Sequence, residues 1–380
     1  MARHALAGLA PLLVGTLAAV PASADMITVN AAGGADYTTI GEALAAAVDG
    51  DWITVAAGTY TGPNNRELDF GGKRIVVQAE TPTDRPVIDC EQQGRAFYFH
   101  SGETGESVVA YLHIANAYCA GTGGAILIDG ASPTIWRCTF TNNTATASGG
   151  AIHIDGSPVG VDVGECTFIS NAAGENGGAI CIANSTEETY VSHCTFTGNT
   201  AGLRGGAVMC DHADADLDRC VFDENTVATL IASRDYGGGG LHVHGGAVLL
   251  SCGTFVRNAA FMGASAVHSS SGTVQVQRCI LAFGLGGPAA AGLLTVQTSD
   301  VFGNAGGDSL DCNHYDNMFV DPLFCDVANG DYTLCANSPC PGESPQNPWG
   351  DSLGALGVGC GDCGSAVQAA TWGAIKGLYR

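Results

Sequence analysis

Gly149-Gly150-Ala151-Ile152, followed by Cys166-Thr167-Phe168 and Asn171, is the stretch that decides the fold, because it recurs along the chain. Close copies begin at three further glycine pairs, Gly123-Gly124, Gly177-Gly178 and Gly205-Gly206. The second glycines stand at positions 124, 150, 178 and 206, so the steps between them are 26, 28 and 28 residues. A near-constant period in this range is typical of a solenoid, in which each unit buries its apolar face against its neighbours.

Within each unit the apolar residues alternate and do not follow helical spacing. Ile152-His153-Ile154 and Cys166-Thr167-Phe168 place every second side chain on one face, as a strand does. Glycine, asparagine and serine separate these short runs and indicate tight turns. A coil of three short strands and three turns needs roughly 22 to 28 residues, so the sequence predicts an all-β fold, a single-stranded parallel β-helix.

The alternation also predicts which side chains fill the interior. Ile126, Ile128, Cys138 and Phe140 should point inward, with their counterparts stacked about 4.8 Å above them. The repeated asparagines should stack at a bend, satisfy backbone groups there and bond from coil to coil. They are Asn143, Asn171, Asn199, Asn225 and Asn258.

A column of cysteines is predicted on the same inward face. Its members are Cys138, Cys166, Cys194, Cys220, Cys252 and Cys279. Stacked Cα atoms about 4.8 Å apart are within disulfide range, but buried cysteine is also a good small hydrophobe. We expect a mostly unpaired stack.

The chain divides into five parts. Residues 1–24 have the charged start, apolar run and Ala22-Ser23-Ala24 ending of a secretory signal peptide. Residues 25–120 are predicted to form an N-terminal cap and the early coils, with a short amphipathic helix over Thr39 to Val48 covering the open end. Residues 121–305 are the regular coils, residues 306–363 a Cys-rich C-terminal cap with disulfides, and residues 364–380 a tail. The tail could be a sorting signal or a disordered terminus.

Charge and hydropathy restrict the partners. The formal net charge of the 380 residues is −23, with 14 Lys and Arg against 37 Asp and Glu. This surface argues against binding nucleic acid or anionic membranes, and against holding an acidic polysaccharide unless Ca²⁺ bridges the like charges. No transmembrane segment is expected in the mature chain, because the apolar run from Ile280 to Val296 is interrupted by glycine and proline.

The repeated Gly-Gly-Ala-Ile and Phe-x-x-Asn phrases resemble the repeats of the chlamydial polymorphic outer-membrane proteins, which are β-helical adhesins. Asp36-Tyr37-Thr38-Thr39-Ile40 and Ala57-Gly58-Thr59-Tyr60 resemble the opening of pectin-lyase-like β-helices. The whole mature chain resembles secreted right-handed parallel β-helix repeat proteins of Gram-negative bacteria. The resemblance implies a right-handed solenoid that is secreted or displayed on the outer cell surface.

Three functions fit this resemblance. The first is a non-catalytic scaffold, a surface-associated adhesin or glycan-binding protein whose partner is an extracellular glycan or a cell-surface component. The alternative is a Ca²⁺-assisted polysaccharide lyase or glycoside hydrolase. The third is a structural envelope protein. The paired-aspartate, Gly-His-Gly and Arg-x-Lys signatures of the β-helical pectin hydrolases are absent from the sequence, which disfavours the enzyme.

One candidate site is a row of aspartates. Asp129, Asp155 and Asp211 each lie five residues after the second glycine of their unit, whereas Ala183 interrupts the row. Carboxylates on adjacent coils could share Ca²⁺ or another ligand. The alternative is turn chemistry, since an aspartate before glycine is a common turn dipeptide.

A second candidate is the acidic run from Asp211 to Asp218. Asp211, Asp214 and Asp216 could bind Ca²⁺, although a solvated acidic loop explains the run as well. For catalysis, the candidates are Asp216 and Asp218 with Arg219, the one adjacent base.

A third candidate is a histidine set on the strands of the repeat. His153, His242, His244 and His268 could bind a transition metal, or they could be ordinary exposed positions on a sheet.

Overall fold

The computed structural model describes residues 24–185, 187–229 and 235–363. The predicted tail, and the predicted signal peptide apart from its last residue, lie outside the described residues.

The repeats form an all-β parallel solenoid, as predicted, with three sheets along its length that we name A, B and C. Within the described residues sheet A has 17 strands, because five coils contribute two strands each and the others contribute one. These are Met26–Val29, Trp52–Val55, Val76–Ala79, Phe97–Phe99, Val108–Ala110, Ile126–Asp129, Thr134–Trp136, Ile152–Asp155, Asp162–Gly164, Ile180–Ala183, Thr189–Ser192, Val208–Asp211, Ala215–Asp218, Leu241–Ser251, Val267–Gln277, Ala290–Gln297 and Asp311–Tyr315.

Sheets B and C complete the coils. Sheet B contains Thr59–Tyr60, Val87–Asp89, His113–Ala115, Thr139–Thr141, Thr167–Ile169, Thr195–Thr197, Val221–Asp223, Thr254–Val256, Ile280–Ala282 and Asp300–Phe302. Sheet C contains Tyr118–Cys119, Thr144–Ala145, Ala172–Ala173, Thr200–Ala201, Thr226–Val227, Ala259–Ala260 and Leu285–Gly286.

The register places like residues on like residues. Ile152 pairs with Ile126 on one side and Ile180 on the other. The phenylalanines of sheet B form a stack whose successive ring centroids are 4.8, 4.9, 4.9 and 4.2 Å apart. Its members are Phe140, Phe168, Phe196, Phe222 and Phe255. This column fills the core between the sheets.

Residues with positive φ form the corner between sheets A and B. Arg137, Glu165, His193 and Arg219 occupy this corner in successive coils, with φ of 52°, 49°, 53° and 51°. A single left-handed residue turns the strand sharply, at a cost of roughly 1–2 kcal/mol for a residue other than glycine. The residue after each corner then points inward, and in these coils it is the column cysteine.

The prediction that Cys252 joins this column was wrong. Cys252 is itself the corner residue, with φ 52°, so Gly253 takes the inward place. The Gly253 amide donates to Cys279 Sγ at 3.2 Å, as the Cys138 amide donates to Cys166 Sγ at 3.4 Å. Cys138, Cys166, Cys194, Cys220 and Cys279 are buried free thiols.

The five predicted asparagines form a continuous ladder at the corner after sheet B. Each Nδ2 from Asn143 to Asn225 donates to Oδ1 of the next asparagine at 2.9 Å. Each Nδ2 also donates to a backbone carbonyl of the preceding coil, for example Asn199 to Phe168 at 3.0 Å. Each Oδ1 from Asn171 to Asn258 also accepts the backbone amide of the preceding asparagine, and Asn143 Oδ1 accepts the Ala117 amide, so the buried side-chain amides are satisfied.

A short helix, Ile40–Ala46, covers the first coil. Thr39 Oγ1 accepts the Glu42 amide at its N-terminus, and Ile40, Ala43 and Leu44 form its buried face. The Lys73 ammonium donates to the Leu44 and Ala47 carbonyls at 2.6 and 3.1 Å, where the helix ends. Short 3-10 helices follow at Pro63–Asn65 and Val327–Asn329.

The Cys-rich segment after Tyr315 folds back along the outside of sheet B. Its strands are Phe324–Asp326, Asp331–Cys335 and Val358–Cys360. Disulfides join Cys325 to Cys360 and Cys335 to Cys363, whereas Cys312 and Cys340 are free. Phe324, Tyr332, Leu334 and Leu353 pack on the outward side chains Val221, Val256, Ile280 and Ala282 of sheet B.

Asp300 joins this segment to the solenoid. Its side chain is fully buried, accepts the Val320 amide at 3.1 Å and accepts from the Cys340 thiol at 3.4 Å. Desolvation raises the pKa of Asp300 to about 7, and the charge of Asp321 adds to this effect.

We expect Asp300→Asn to remove a pH dependence from the stability of this junction. Because the pKa is raised on folding, the folded state holds a proton that the unfolded state has already lost. Stability should therefore fall as pH rises from about 4 to about 7, by on the order of 4 kcal/mol, and stay level above that. Denaturant unfolding of both proteins between pH 4 and pH 8 measures this, and an unchanged difference across that range would contradict it.

Candidate functional site

The outer face of sheet A carries most of the predicted site residues, but one row of it is covered. His153, Met209, His242 and His268 are between 0 and 7% exposed, although they point away from the core. The Gly-Gly turns lie over this row; a Cβ on Gly149 would come within 2.9 Å of the His153 Cβ atom. The alternative prediction, that these histidines are ordinary exposed positions on a sheet, is therefore wrong for His153, His242 and His268.

The predicted aspartate row is split. Asp129 and Asp155 are register partners on adjacent coils, and each precedes a glycine of positive φ. Asp155 Oδ1 accepts from Asn184 Nδ2 at 2.8 Å. Asp211 lies two coils further on, beyond Ala183, and its register partner on the next coil is His244. Asp211 therefore belongs with the histidines.

The predicted acidic run is also divided. Asp214 Oδ1 accepts the Ala247 amide at 2.7 Å in a turn. Asp216 and Asp218 lie on the outer face of the following strand, Ala215–Asp218. The structure thus separates Asp214 and Asp216 from Asp211. Arg219 occupies the corner, and its Nε lies 3.5 Å from Asp218 Oδ2 in an exposed pair.

Six residues meet near the end of the strand Val208–Asp211, and we call them the histidine cluster. They are Asp211, His212, His242, His244, His268 and Ser270. The His212 and His244 rings meet edge to face with centroids 5.0 Å apart, and the His242 and His268 rings are also 5.0 Å apart. Ser270 Oγ lies 2.8 Å from His244 Nδ1 and 3.3 Å from His242 Nε2. Burial, and then the neighbouring His268, lower the pKa of His242 well below its usual value.

A second patch, which sequence reasoning missed, lies on the other half of sheet A. Trp136 and Gly164 are register partners, and the indole lies across the glycine: a Cβ on Gly164 would come within 1.9 Å of Trp136 Cζ3. A second row lies beside the first, two residues earlier on each strand. It contains one residue from each of three successive coils, Asp162, Tyr190 and Asp216. We call Trp136, Asp162, Gly164, Tyr190 and Asp216 the aromatic–acidic face.

Three ionisable groups of this face have raised pKa values. Desolvation, followed by the charges of Glu188 and Asp218, raises the pKa of Asp216 to about 6. Desolvation also raises the pKa of Asp162. A hydrogen bond of 2.8 Å to Glu188 is the main reason that the pKa of Tyr190 rises to about 12. Asp216 Oδ1 is buried and has no hydrogen-bond partner.

A groove of about 490 Å³ separates sheet B from the C-terminal segment. Its central group is Arg257, whose guanidinium donates to both oxygens of Asp223 at 2.9 Å and to the Tyr332 hydroxyl, and lies 3.3 Å from Glu224. Because these polar groups satisfy one another, we assign the groove to the junction and not to a ligand.

Within the described ranges, no helix is long and apolar enough to cross a membrane.

Comparisons with known proteins agree on the fold. The family described as the right handed beta helix region matches residues 100–281, which supports the right-handed parallel β-helix predicted from the repeats. No curated protein matches the sequence.

Two solved structures are distantly similar. The crystal structure of pectate lyase Pel9A has 13% sequence identity and a TM-score of 0.43, covering 90% of this chain and 98% of its own. A rhamnogalacturonan lyase has 10% identity and a TM-score of 0.39, covering 92% of this chain and 99% of its own. Likenesses this distant say nothing about the activity of the present chain.

Proposed function

We propose that this protein is a secreted, non-catalytic β-helical scaffold that binds an extracellular glycan through its aromatic–acidic face and acts as a surface-associated adhesin. The observation that carries the proposal is the Trp136 indole lying across Gly164, beside the row formed by Asp162, Tyr190 and Asp216.

The chemistry of this face suits a sugar. An aromatic ring lying along a sheet offers a flat apolar surface to the C–H groups of a pyranose, while Tyr190 combines a ring with a polar tip. Carboxylates beside the rings accept hydrogen bonds from sugar hydroxyls.

Catalysis is less well supported by the same residues. A lyase needs a base near the acidic groups, but the nearest predicted base, Arg219, lies against Asp218 in an exposed ion pair. Raised carboxyl pKa values, as at Asp216, also occur at catalytic sites, so product release must be measured beside binding. An acidic glycan would need Ca²⁺ to bridge its charges to the carboxylates of this surface, whereas a neutral glycan would not.

The function is tested by incubating the mature chain with acidic and neutral polysaccharides, with Ca²⁺ and with EDTA, and measuring retention and product release. Retention without products is the expected result. Release of oligosaccharides that is lost in Asp216→Asn would show an enzyme instead. Neither retention nor products, with the protein in the envelope fraction of its cell, would favour a structural role.

We expect Trp136→Ala to weaken glycan binding about tenfold or more, because aromatic anchors dominate binding energies when their contact is lost. Trp136 is only partly buried on the outer face, so the fold should survive. Isothermal titration with a retained glycan measures the effect. Tyr118→Ala, which removes a 38% exposed ring from sheet C, is the control and should bind normally.

A further inference from the structure

Three side chains of the histidine cluster meet closely on the outside of sheet A. Asp211 ends the strand Val208–Asp211, His212 follows it at a corner, and His244 is the register partner of Asp211 on the next coil. One potential ligand atom from each lies within 4.8 Å of the other two. Asp211 and His212 are accessible, since their side chains are 37% and 65% exposed.

Ser270 orients the His244 ring. Its Oγ lies 2.8 Å from His244 Nδ1. The Ser270 proton has two other acceptors within reach, His242 Nε2 at 3.3 Å and the Val243 carbonyl at 3.5 Å. With the proton donated to either of them, the hydroxyl accepts from His244 Nδ1, and the lone pair of His244 lies on Nε2.

Asp211 and His212 already face each other. His212 Nδ1 lies 2.8 Å from Asp211 Oδ1, and two ligands of a tetrahedral zinc ion lie about 3.3 Å apart, so an ion bound between these atoms would replace the shared proton. Histidines that bind metals characteristically donate their second ring nitrogen to an oxygen, which fixes the tautomer and the orientation of the ring. His244 has this arrangement through Ser270, and Asp211 and His212 form a pair that one ion can bridge.

We propose that Asp211, His212 and His244 bind a divalent transition-metal ion, with Zn²⁺ as the reference ion. Two imidazoles and one carboxylate suit zinc and related ions, whereas Ca²⁺ prefers a shell made of oxygen atoms. Three protein ligands leave a coordination position open to water or to a ligand. The strongly acidic chain also attracts cations to this surface. The site is independent of the glycan-binding proposal.

The test is titration of tag-free protein with Co²⁺ and with Zn²⁺ at pH 7.5. We expect one Co²⁺ per chain, with visible absorption of a low-symmetry site that Zn²⁺ displaces. His212→Ala and His244→Ala should each lose on the order of 100-fold in affinity or more, and Ser270→Ala about tenfold, because it removes the group that orients His244.

His193→Ala is the matched control. His193 is also an exposed corner histidine, with φ 53°, but it lies outside the cluster and its removal should leave Co²⁺ binding unchanged. Circular dichroism confirms that each variant is folded. The proposal is overturned if Co²⁺ does not bind, if His212→Ala binds like the wild type, or if His193→Ala loses as much affinity as His212→Ala.

Discussion

Gly178→Ala will prevent the coils around it from closing, with an expected loss of stability above about 5 kcal/mol. A Cβ at this position would lie 2.1 Å from the Gly206 carbonyl oxygen and 2.7 Å from backbone atoms of Thr200. These neighbours are backbone atoms of the next Gly-Gly turn and of the sheet C strand Thr200–Ala201, so no side chain can move aside. The backbone of Gly178 does not have a positive φ, so the cost comes from space alone.

Denaturant unfolding, together with the soluble yield on expression, measures this effect. The control is Gly156→Ala, at a glycine with φ 63° and nothing within 4 Å of an added Cβ. It should cost about 1 kcal/mol, from the backbone conformation only. If Gly178→Ala were as stable as Gly156→Ala, the close stacking of the Gly-Gly corners would be refuted.

Asn199→Ala should cost roughly 3–5 kcal/mol by breaking the asparagine ladder in its middle. Its Nδ2 donates to Asn225 Oδ1 and the Phe168 carbonyl at 2.9 and 3.0 Å, and its Oδ1 accepts from Asn171 Nδ2 and the Asn171 amide at 2.9 and 3.0 Å. Alanine leaves these groups buried and unpaired, each at a cost of about 1–3 kcal/mol before relaxation.

Equilibrium unfolding in guanidinium measures this loss, with Asn142→Ala as the control. Asn142 is an exposed corner residue with φ 55°, two coils before Asn199, and its removal should cost less than about 1 kcal/mol. Equal losses for the two variants would mean that the ladder does not stabilise the solenoid more than an ordinary corner does.

The sequence predicted the solenoid well because its interior is periodic. Alternation within Ile152-His153-Ile154 and Cys166-Thr167-Phe168 assigns the inward side chains, and the constant step stacks them. The prediction failed at Cys252, because Cys252 itself occupies the corner and Gly253 points inward in its place. An alignment of cysteines by residue type alone does not detect this shift of one residue.

The site was harder to predict because it depends on what covers the outer face. Strand alternation places His242 outward, but the glycine-rich turn before it buries the ring, and periodicity gives no sign of this. The meeting of Asp211 with His244 follows an irregular step of the repeat, in which position 206 corresponds to position 239. Trp136 was missed because it stands two residues before the inward Cys138, where simple alternation would place it inward; the left-handed corner at Arg137 changes the phase and leaves the indole outside.

The central claim is that glycan binds on the aromatic–acidic face, and hydroxyl-radical footprinting tests it most directly. The oxidation of individual side chains is compared with and without a retained glycan. The account predicts that Trp136 and Tyr190 become protected, while the exposed Tyr118 on sheet C does not. Protection at Tyr118 with Trp136 and Tyr190 unchanged, or no protection at saturating glycan, would contradict it.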